Sequence, residues 1–311
     1  VANLDPYFYT AEAKERLNRL GHYCEGRLNR EDLMAQIHNY DALICRFSHK
    51  IDAELLASAT RLKVVGTNTT GTDHIDSLAL RRRGIRLFSL RDLPDVIEDI
   101  NSTAELAWGL IIALLRKIVP ATEGALSGLG SRENFLGSDL KGKTLGVLGL
   151  GRIGKKVARY GSAFDMRVIA HTLTSDSDIH GVETYLSIEE FLSQVQILTI
   201  HLPLNQSTEG LINEKRLKAL PEGAVVINTS RGGIICEDAL IASLRSGHLA
   251  GAALDVYDGE RGYRTPTEIV EFARRDQRLL LTPHIGGATA ESWAITEFAI
   301  AEAVAAYLET L

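Results

Sequence analysis

The chain has 311 residues, 45% of them hydrophobic and 24% charged, and carries a net charge of −6. That length is too great for one ordinary core and predicts two domains, while the acidic balance argues against a nucleic-acid surface, which needs a basic patch. The longest apolar stretch, Leu106 to Leu115, falls well short of the ~20 residues that span a bilayer, so no membrane is expected as a partner. Val1 to Asp5 lacks the basic and apolar regions of a signal peptide. Cys24, Cys45 and Cys236, odd in number and widely spaced, read as free thiols without metal-site spacing. Together these make the cytoplasm the expected compartment.

In chain order, Ala11 to Leu20 places Ala13, Leu17 and Leu20 at helical spacing, and strand-like runs follow at 40–46, 62–66 and 85–88. This first hundred alternates strand and helix without a Gly-rich phosphate loop, and reads as a smaller α/β domain. Asn101 to Glu105 resembles a helix start with Ser102 and Glu105 at capping-box spacing. The apolar helix after it, running to about Ile118, is expected to cross between domains. From Lys141 onward, strand-like runs at 144–149, 166–171, 196–201, 223–228, 251–255 and 279–282 alternate with helical patterns at 152–164, 187–194, 213–220 and 236–247. Six such strands predict βαβ units and a doubly wound parallel sheet with ligands at the strand carboxyl ends. The last segment, 289–311, is Ala-rich and helical, lies outside that set, and is expected to return to the first domain. The predicted division is therefore 1–101 plus 286–311, and 102–285.

The most informative segment joins the run Leu145 to Leu148 to Gly149-x-Gly151-x-x-Gly154 and a helical pattern after it. Between a strand and a helix each glycine has a physical task. Gly149 allows a tight turn, Gly151 lets a pyrophosphate approach the backbone, and Gly154 lets helix and strand pack closely. The helix N-terminus adds N–H groups and a partial positive charge. Dinucleotide binding is the expectation.

Three later groups each follow a strand: Arg231 after the fourth of the nucleotide domain, Asp255 and Glu260 after the fifth, and His284 after the sixth. Taken singly, Arg231 reads as a surface residue, Glu260 as a solvated loop carboxylate and His284 as a turn histidine. Their places at successive strand ends make them a coherent hydride-transfer set. Histidine suits proton exchange with a hydroxyl because its pKa lies near operating pH. A neighbouring glutamate would favour the imidazolium and orient the ring. An arginine can grip a carboxylate bidentately and polarise the adjacent carbonyl.

From about Tyr40 to Thr289 the chain resembles the D-isomer-specific 2-hydroxyacid dehydrogenase family. The resemblance rests on Gly71-Thr72-Asp73-His74-Ile75-Asp76, Ser102-Thr103-Ala104-Glu105, the lead-in at 140–146, His201-Leu202-Pro203-Leu204 and the three stretches just described. It implies a Rossmann-type nucleotide domain, a flavodoxin-like substrate domain built from both chain ends, and a homodimer formed around the nucleotide domain. It implies hydride transfer between a nicotinamide cofactor and a small D-2-hydroxy acid or 2-keto acid. By the same resemblance Arg231 binds and polarises substrate, Glu260 supports the histidine, and His284 is the acid/base. Gly149, Gly151, Arg152, Ile153, Gly154, Pro203, Thr208, Thr229, Asp255 and Gly287 would hold the cofactor, with Asp255 reaching the carboxamide. Thr69, Thr70 and Gly71 match the loop whose N–H groups hold the substrate carboxylate.

The chain also departs from the pattern. Thr172 stands where an acidic residue is expected about 20 residues past the glycines, with Thr174 and Ser175 beyond it. Loss of that carboxylate weakens the case for NAD and relieves repulsion of a 2′-phosphate, so NAD and NADP both remain open. Thr67 occupies a position that tends to be basic in phosphoglycerate enzymes, which makes 3-phosphoglycerate a less favoured substrate. Arg261 replaces a proline, and with Arg264, Arg274, Arg275 and Arg278 it forms either an anion-binding loop or, the favoured reading, a solvated face. Oxidation of a one-carbon or phosphorus oxyanion, and a dinucleotide-sensing corepressor role, are the competing functions.

Overall fold

The structure is a computed structural model that describes residues 1–6, 9–26, 28–128, 130–172, 179, 181–257 and 267–311. It divides into two compact units, Val1–Ile100 with Gly287–Leu311, and Asn101–Gly286.

In the first unit, Ala2–Asn3 (β1), Cys24–Glu25 (β2), Ala42–Cys45 (β3), Val64–Thr67 (β4) and Arg86–Ser89 (β5) form a parallel sheet in the order β2-β1-β3-β4-β5. This is the flavodoxin-like order. β3 and β4 are buried at every position, as central parallel strands covered on both faces must be. One face packs Leu33, Ile37, Leu55, Leu56 and Leu80. The other packs Ala13 and Leu17 of the helix Ala11–Asn18 together with Ile300, Ala301 and Val304 of the helix Ala290–Glu309. Each buried aliphatic side chain of this kind contributes about 1.5–3 kcal/mol. A Cβ on Gly66 would meet Ile300 and Val304 at 2.8 Å, so the bare backbone there lets the last helix lie on β4. β1 and β2 are two residues long, too short for any periodicity, and the sequence reading misses both.

The second unit holds Thr144–Leu148 (β6), Arg167–His171 (β7), Glu183–Tyr185 (β8), Ile197–Ile200 (β9), Ala224–Asn228 (β10), Leu249–Leu254 (β11) and Leu279–Leu281 (β12). They form a parallel seven-stranded sheet in the order β12-β11-β10-β9-β6-β7-β8. The sequence reading expects six strands. β8 is an edge strand with no buried residue, so it carries no apolar run to read. The strand order reverses on either side of β6, which places the glycine-rich turn at the topological switch point.

Three further expectations need correction. The apolar helix ends at Leu115, slightly short of Ile118, and a second helix, Ile118–Leu126, which the sequence reading does not expect, follows it. Lys117 at φ 49° separates the two, because a left-handed residue cannot continue a right-handed helix, and Pro120 in the first turn of the second helix is the local mark of the break. The capping box at Ser102 does not form: Asn101 is the N-cap and Ser102 the first helical residue. The Asn101 side chain instead accepts a hydrogen bond from Lys156 Nζ at 2.8 Å, a tertiary contact that local spacing does not reveal. The segment 262–278, read as a loop, contains the helix Glu268–Ala273, whose Ile269 and Phe272 are buried.

Candidate functional site

The glycine-rich turn leaves the carboxyl end of β6. Gly149 has φ +97°, and a Cβ there would sit 2.7 Å from the His201 carbonyl oxygen, so both conformation and space demand glycine. Gly154 is still tighter, since a Cβ would come 2.0 Å from the Gly149 carbonyl oxygen. Gly151 differs from both. It caps the helix Arg152–Ala163 in extended backbone, and a Cβ there would meet nothing within 4 Å among the described residues. Two glycines thus build the turn, while the third leaves open space beside the helix N-terminus that begins with Arg152 and Ile153. Such a cradle fits a pyrophosphate.

At the end of β7, Thr172 is half-buried and its N–H lies 3.4 Å from the Tyr185 carbonyl oxygen. His171 Nδ1 is 2.9 Å from the same oxygen. Thr174 and Ser175 lie outside the described residues. The end of β9 leads through His201 to Pro203. Thr208 Oγ1 donates to the Pro203 carbonyl at 2.6 Å and accepts from the Asn205 N–H at 2.9 Å, so this hydroxyl closes the 203–208 turn. His201 Nε2 is 2.8 Å from Thr199 Oγ1, and burial pushes the imidazole down to about 3, which keeps it neutral.

β10, β11 and β12 are neighbours, and their register aligns Asn228, Leu254 and Leu281. Thr229, Asp255 and Thr282 follow in the next row. Asp255 has no exposed surface. Its Oδ1 accepts from Thr282 Oγ1 at 2.6 Å and from the Ile285 N–H at 2.8 Å, and its Oδ2 accepts from the Gly286 N–H at 2.8 Å. The carboxylate therefore builds the turn that carries His284. Within that turn His284 sits at φ +57°, and its N–H donates to the Asp255 carbonyl at 2.9 Å. A left-handed non-glycine residue costs about 1–3 kcal/mol and persists only where its surroundings over-determine it.

Arg231 follows β10 on extended backbone, half-buried, with Nη1 donating to the Ser230 carbonyl at 2.7 Å. The buried Asn228 organises that loop. Its Oδ1 accepts from the Ser230 N–H and hydroxyl at 3.0 and 2.7 Å, and its Nδ2 donates to the Arg231 carbonyl at 2.9 Å. Thr229 Oγ1 is buried without a hydrogen-bond partner among the described residues. A buried orphan polar atom at a strand end is the kind of group a bound amide or hydroxyl satisfies, so the residues present fit a nicotinamide dinucleotide. Glu260, Arg261 and Arg264 lie outside the described residues. Arg274 and Arg275 pair with Glu271, and Arg278 with Asp276, local pairs that suit a solvated face.

In the first unit, Thr69 to Gly71 follow β4. Thr69 Oγ1 donates to the Gly71 carbonyl at 2.7 Å and lies 2.8 Å from the Oγ1 of the buried Thr67. His74 Nε2 stands 3.5 Å from Thr67 Oγ1, with Phe47 edge-on to its ring at 5.0 Å. Thr70 is exposed and Gly71 half-buried. Gly287 is exposed, with open space around its Cα. The structure thus brings Arg231, Thr229, Asp255 and His284 to the carboxyl ends of three adjoining strands, and it places the Thr69–Gly71 loop and Gly287 in the other unit. Asn228, Thr282, His201, Thr67 and His74 support these positions, and the sequence reading gave them no such task. Polar residues at or just after the ends of apolar strands were the available signal for all of them but His74.

Among the described residues no helix is long and apolar enough to cross a membrane. Comparison with known proteins gives the family. Residues 108–286 match the family described as "D-isomer specific 2-hydroxyacid dehydrogenase, NAD binding domain". The glyoxylate reductase of Thermofilum pendens is 37% identical over 271 residues, 85% of this chain and 77% of that protein. Human D-3-phosphoglycerate dehydrogenase is 36% identical over 270 residues, 85% of this chain and 48% of that protein. The crystal structure of D-lactate dehydrogenase from Aquifex aeolicus, complexed with NAD and lactic acid, superposes with a TM-score of 0.88 at 26% identity, covering 99% of this chain and 95% of that one. The chain belongs to the D-isomer specific 2-hydroxyacid dehydrogenase family, and is an oxidoreductase that uses NAD or NADP to move a hydride between a 2-hydroxy acid and its 2-keto acid.

Proposed function

We propose that the chain reduces glyoxylate or a similarly short, unphosphorylated 2-keto acid to the D-2-hydroxy acid. The observation that carries the reading is the His284 turn, held in a costly backbone conformation by the buried Asp255 beside the strand that presents Arg231. The name of the Thermofilum relative supports glyoxylate. Burial of Thr67, hydrogen-bonded to Thr69 where a phosphate-binding enzyme of this family would tend to be basic, supports an unphosphorylated substrate.

In this reading the bound, reduced nicotinamide supplies the hydride. The Gly149–Gly154 turn and the helix after it hold the pyrophosphate, with Arg152 and Ile153 at the first turn. Thr229 meets the carboxamide, whereas Asp255, expected to reach it, has no exposed surface and acts through the His284 turn, and Pro203, Thr208 and Gly287 line the cofactor. Thr172, uncharged, admits a ribose hydroxyl or a 2′-phosphate. Thr69, Thr70 and Gly71 grip the substrate carboxylate through backbone N–H groups. Arg231 pairs with that carboxylate and polarises the carbonyl. His284 gives its proton to the carbonyl oxygen as the alkoxide forms, and Glu260 supports the histidine.

The assembled protein is a cytoplasmic homodimer in this reading. Ile118, Val119, Leu126 and Leu136 are exposed on and near the helix Ile118–Leu126, an apolar cluster that a second copy would cover, and all three cysteines are free.

The test follows NADH and NADPH absorbance with glyoxylate, pyruvate, hydroxypyruvate, formate and phosphite, in the wild type and in His284→Gln. Keto-acid turnover that the substitution abolishes, with NADH affinity retained, is expected. Turnover of formate or phosphite alone, or tight NADH binding with no turnover of any substrate, refutes the assignment.

A further inference from the structure

The loop after β4 has a charged neighbour that the proposed reaction does not use. Register aligns Cys45 of β3 with Thr67 of β4, and the Asn68 N–H donates to the Cys45 carbonyl at 3.3 Å. Arg46 therefore lies alongside Asn68, at the start of the segment that continues into Thr69, Thr70 and Gly71. A guanidinium carried on backbone that runs beside a carboxylate-binding loop would, if unengaged, be a ready partner for a second anionic group on the substrate, such as a phosphate or a distal carboxylate.

In this chain that guanidinium is already committed. Arg46 Nη2 pairs with Oε1 of Glu297, from the helix Ala290–Glu309. Its Cζ stands 4.2 Å from the ring centroid of Trp293, one turn earlier on the same helix. Glu297 is fully buried, and its second oxygen accepts from the Thr10 N–H at 2.8 Å. The Arg46 N–H is held by Asp5 Oδ2 at 2.6 Å, and the same oxygen takes the Ser48 hydroxyl at 2.9 Å. A carboxylate removed from water in this way depends on its cation, because separating a buried pair leaves an uncompensated charge. An incoming anion would have to displace Glu297 from Arg46 or lie close to two like charges, Glu297 and Asp5. Either is unfavourable.

We propose that Glu297 is a specificity-determining residue: by occupying Arg46 beside the Thr69–Gly71 loop, it excludes 2-keto acids that carry a second anionic group. Glu297 acts through Arg46 and is a positioning residue. The proposal rests on the 2-keto acid reading of the Thr69–Gly71 loop and names the class of substrate that loop rejects.

Hydroxypyruvate and 3-phosphohydroxypyruvate differ only in the second anion and make a matched pair. The readout is the ratio of their kcat/KM values with NADH. The wild type should favour hydroxypyruvate by at least tenfold. Glu297→Gln keeps the shape and an oxygen for the Thr10 N–H while removing the charge that holds Arg46, and should move the ratio at least tenfold toward the phosphorylated acid. Adding Arg46→Gln to Glu297→Gln should return the ratio toward the wild-type value, because the released cation is gone.

A wild type that takes both acids equally well overturns the proposal without any variant, so the test stands even if Glu297→Gln does not fold. A folded Glu297→Gln enzyme with an unmoved ratio also overturns it, as does a shift that survives the loss of Arg46. Absence of keto-acid turnover in the wild type would overturn the parent reading and this one together. Turnover with an unmoved ratio would remove this inference alone.

Discussion

Gly151 and Gly154 offer a paired test, because the same added methyl group meets opposite surroundings. In Gly154→Ala the new Cβ would stand 2.0 Å from the Gly149 carbonyl oxygen and 3.2 Å from Val147 Cγ1. The first is backbone and cannot rotate away, so the helix Arg152–Ala163 must slide on β6. Overpacking of this kind costs about 1–3 kcal/mol, and a backbone clash belongs at the upper end. At about 2–4 °C per kcal/mol for a domain of this size, Tm should fall by roughly 6–12 °C.

In Gly151→Ala the Cβ meets nothing within 4 Å among the described residues, and extended backbone suits any residue. Stability should change by no more than about 0.5 kcal/mol, as at an ordinary surface position. The methyl group nevertheless fills the space assigned to the pyrophosphate. NADH affinity should drop by about a hundredfold, or about 2.8 kcal/mol at 1.4 kcal/mol per tenfold. Thermal unfolding followed by circular dichroism and a fluorescence titration with NADH separate the two effects. A Gly151→Ala protein that binds NADH as the wild type does would refute the phosphate assignment, and equal losses of Tm in both variants would refute the packing argument.

Asp255→Asn should lower kcat by at least a hundredfold while changing NADH affinity much less, because an amide cannot accept from Thr282, Ile285 and Gly286 together and one buried donor is left unmet, at about 1–3 kcal/mol. Steady-state kinetics with glyoxylate decide it, and a wild-type kcat would show that the His284 turn does not depend on this carboxylate. Thr229→Val removes a hydroxyl that is buried without a partner among the described residues, so chemical denaturation should show unchanged or slightly raised stability while NADH affinity weakens about three- to tenfold; unaltered affinity would detach Thr229 from the cofactor. His201 should make the fold acid-sensitive. Unfolded, it takes a proton below its ordinary 6.5, whereas the folded imidazole resists to about 3, so its contribution is present above pH 6.5 and is lost as pH falls toward 3. The slope is at most about 1.4 kcal/mol per pH unit. Urea midpoints between pH 7 and pH 5 should flatten in His201→Gln, and equal slopes in the two proteins would count against the argument.

What the amino-acid order determined by itself was whatever rests on local pattern. Apolar runs mark β3 to β7 and β9 to β12, because buried parallel strands need side chains that avoid water on both faces. The three glycines lie between a strand and a helix, and their tasks follow from the absence of Cβ. Arg231, Asp255 and His284 are recognisable because each follows such a run. Pattern says nothing where the chain is short or polar, which is why β1, β2 and β8 go unseen.

Only the tertiary structure decided the partnerships. It set the buried Asp255 against the backbone of residues 285 and 286, turned Asn101 toward Lys156 and away from capping duty, and brought Glu297 to Arg46 from 251 positions further along the chain. Such pairs form because a polar group taken out of water must find another when the sheet and helices close around it. The identity of that other group depends on how strands and helices pack, and no local stretch of sequence contains it.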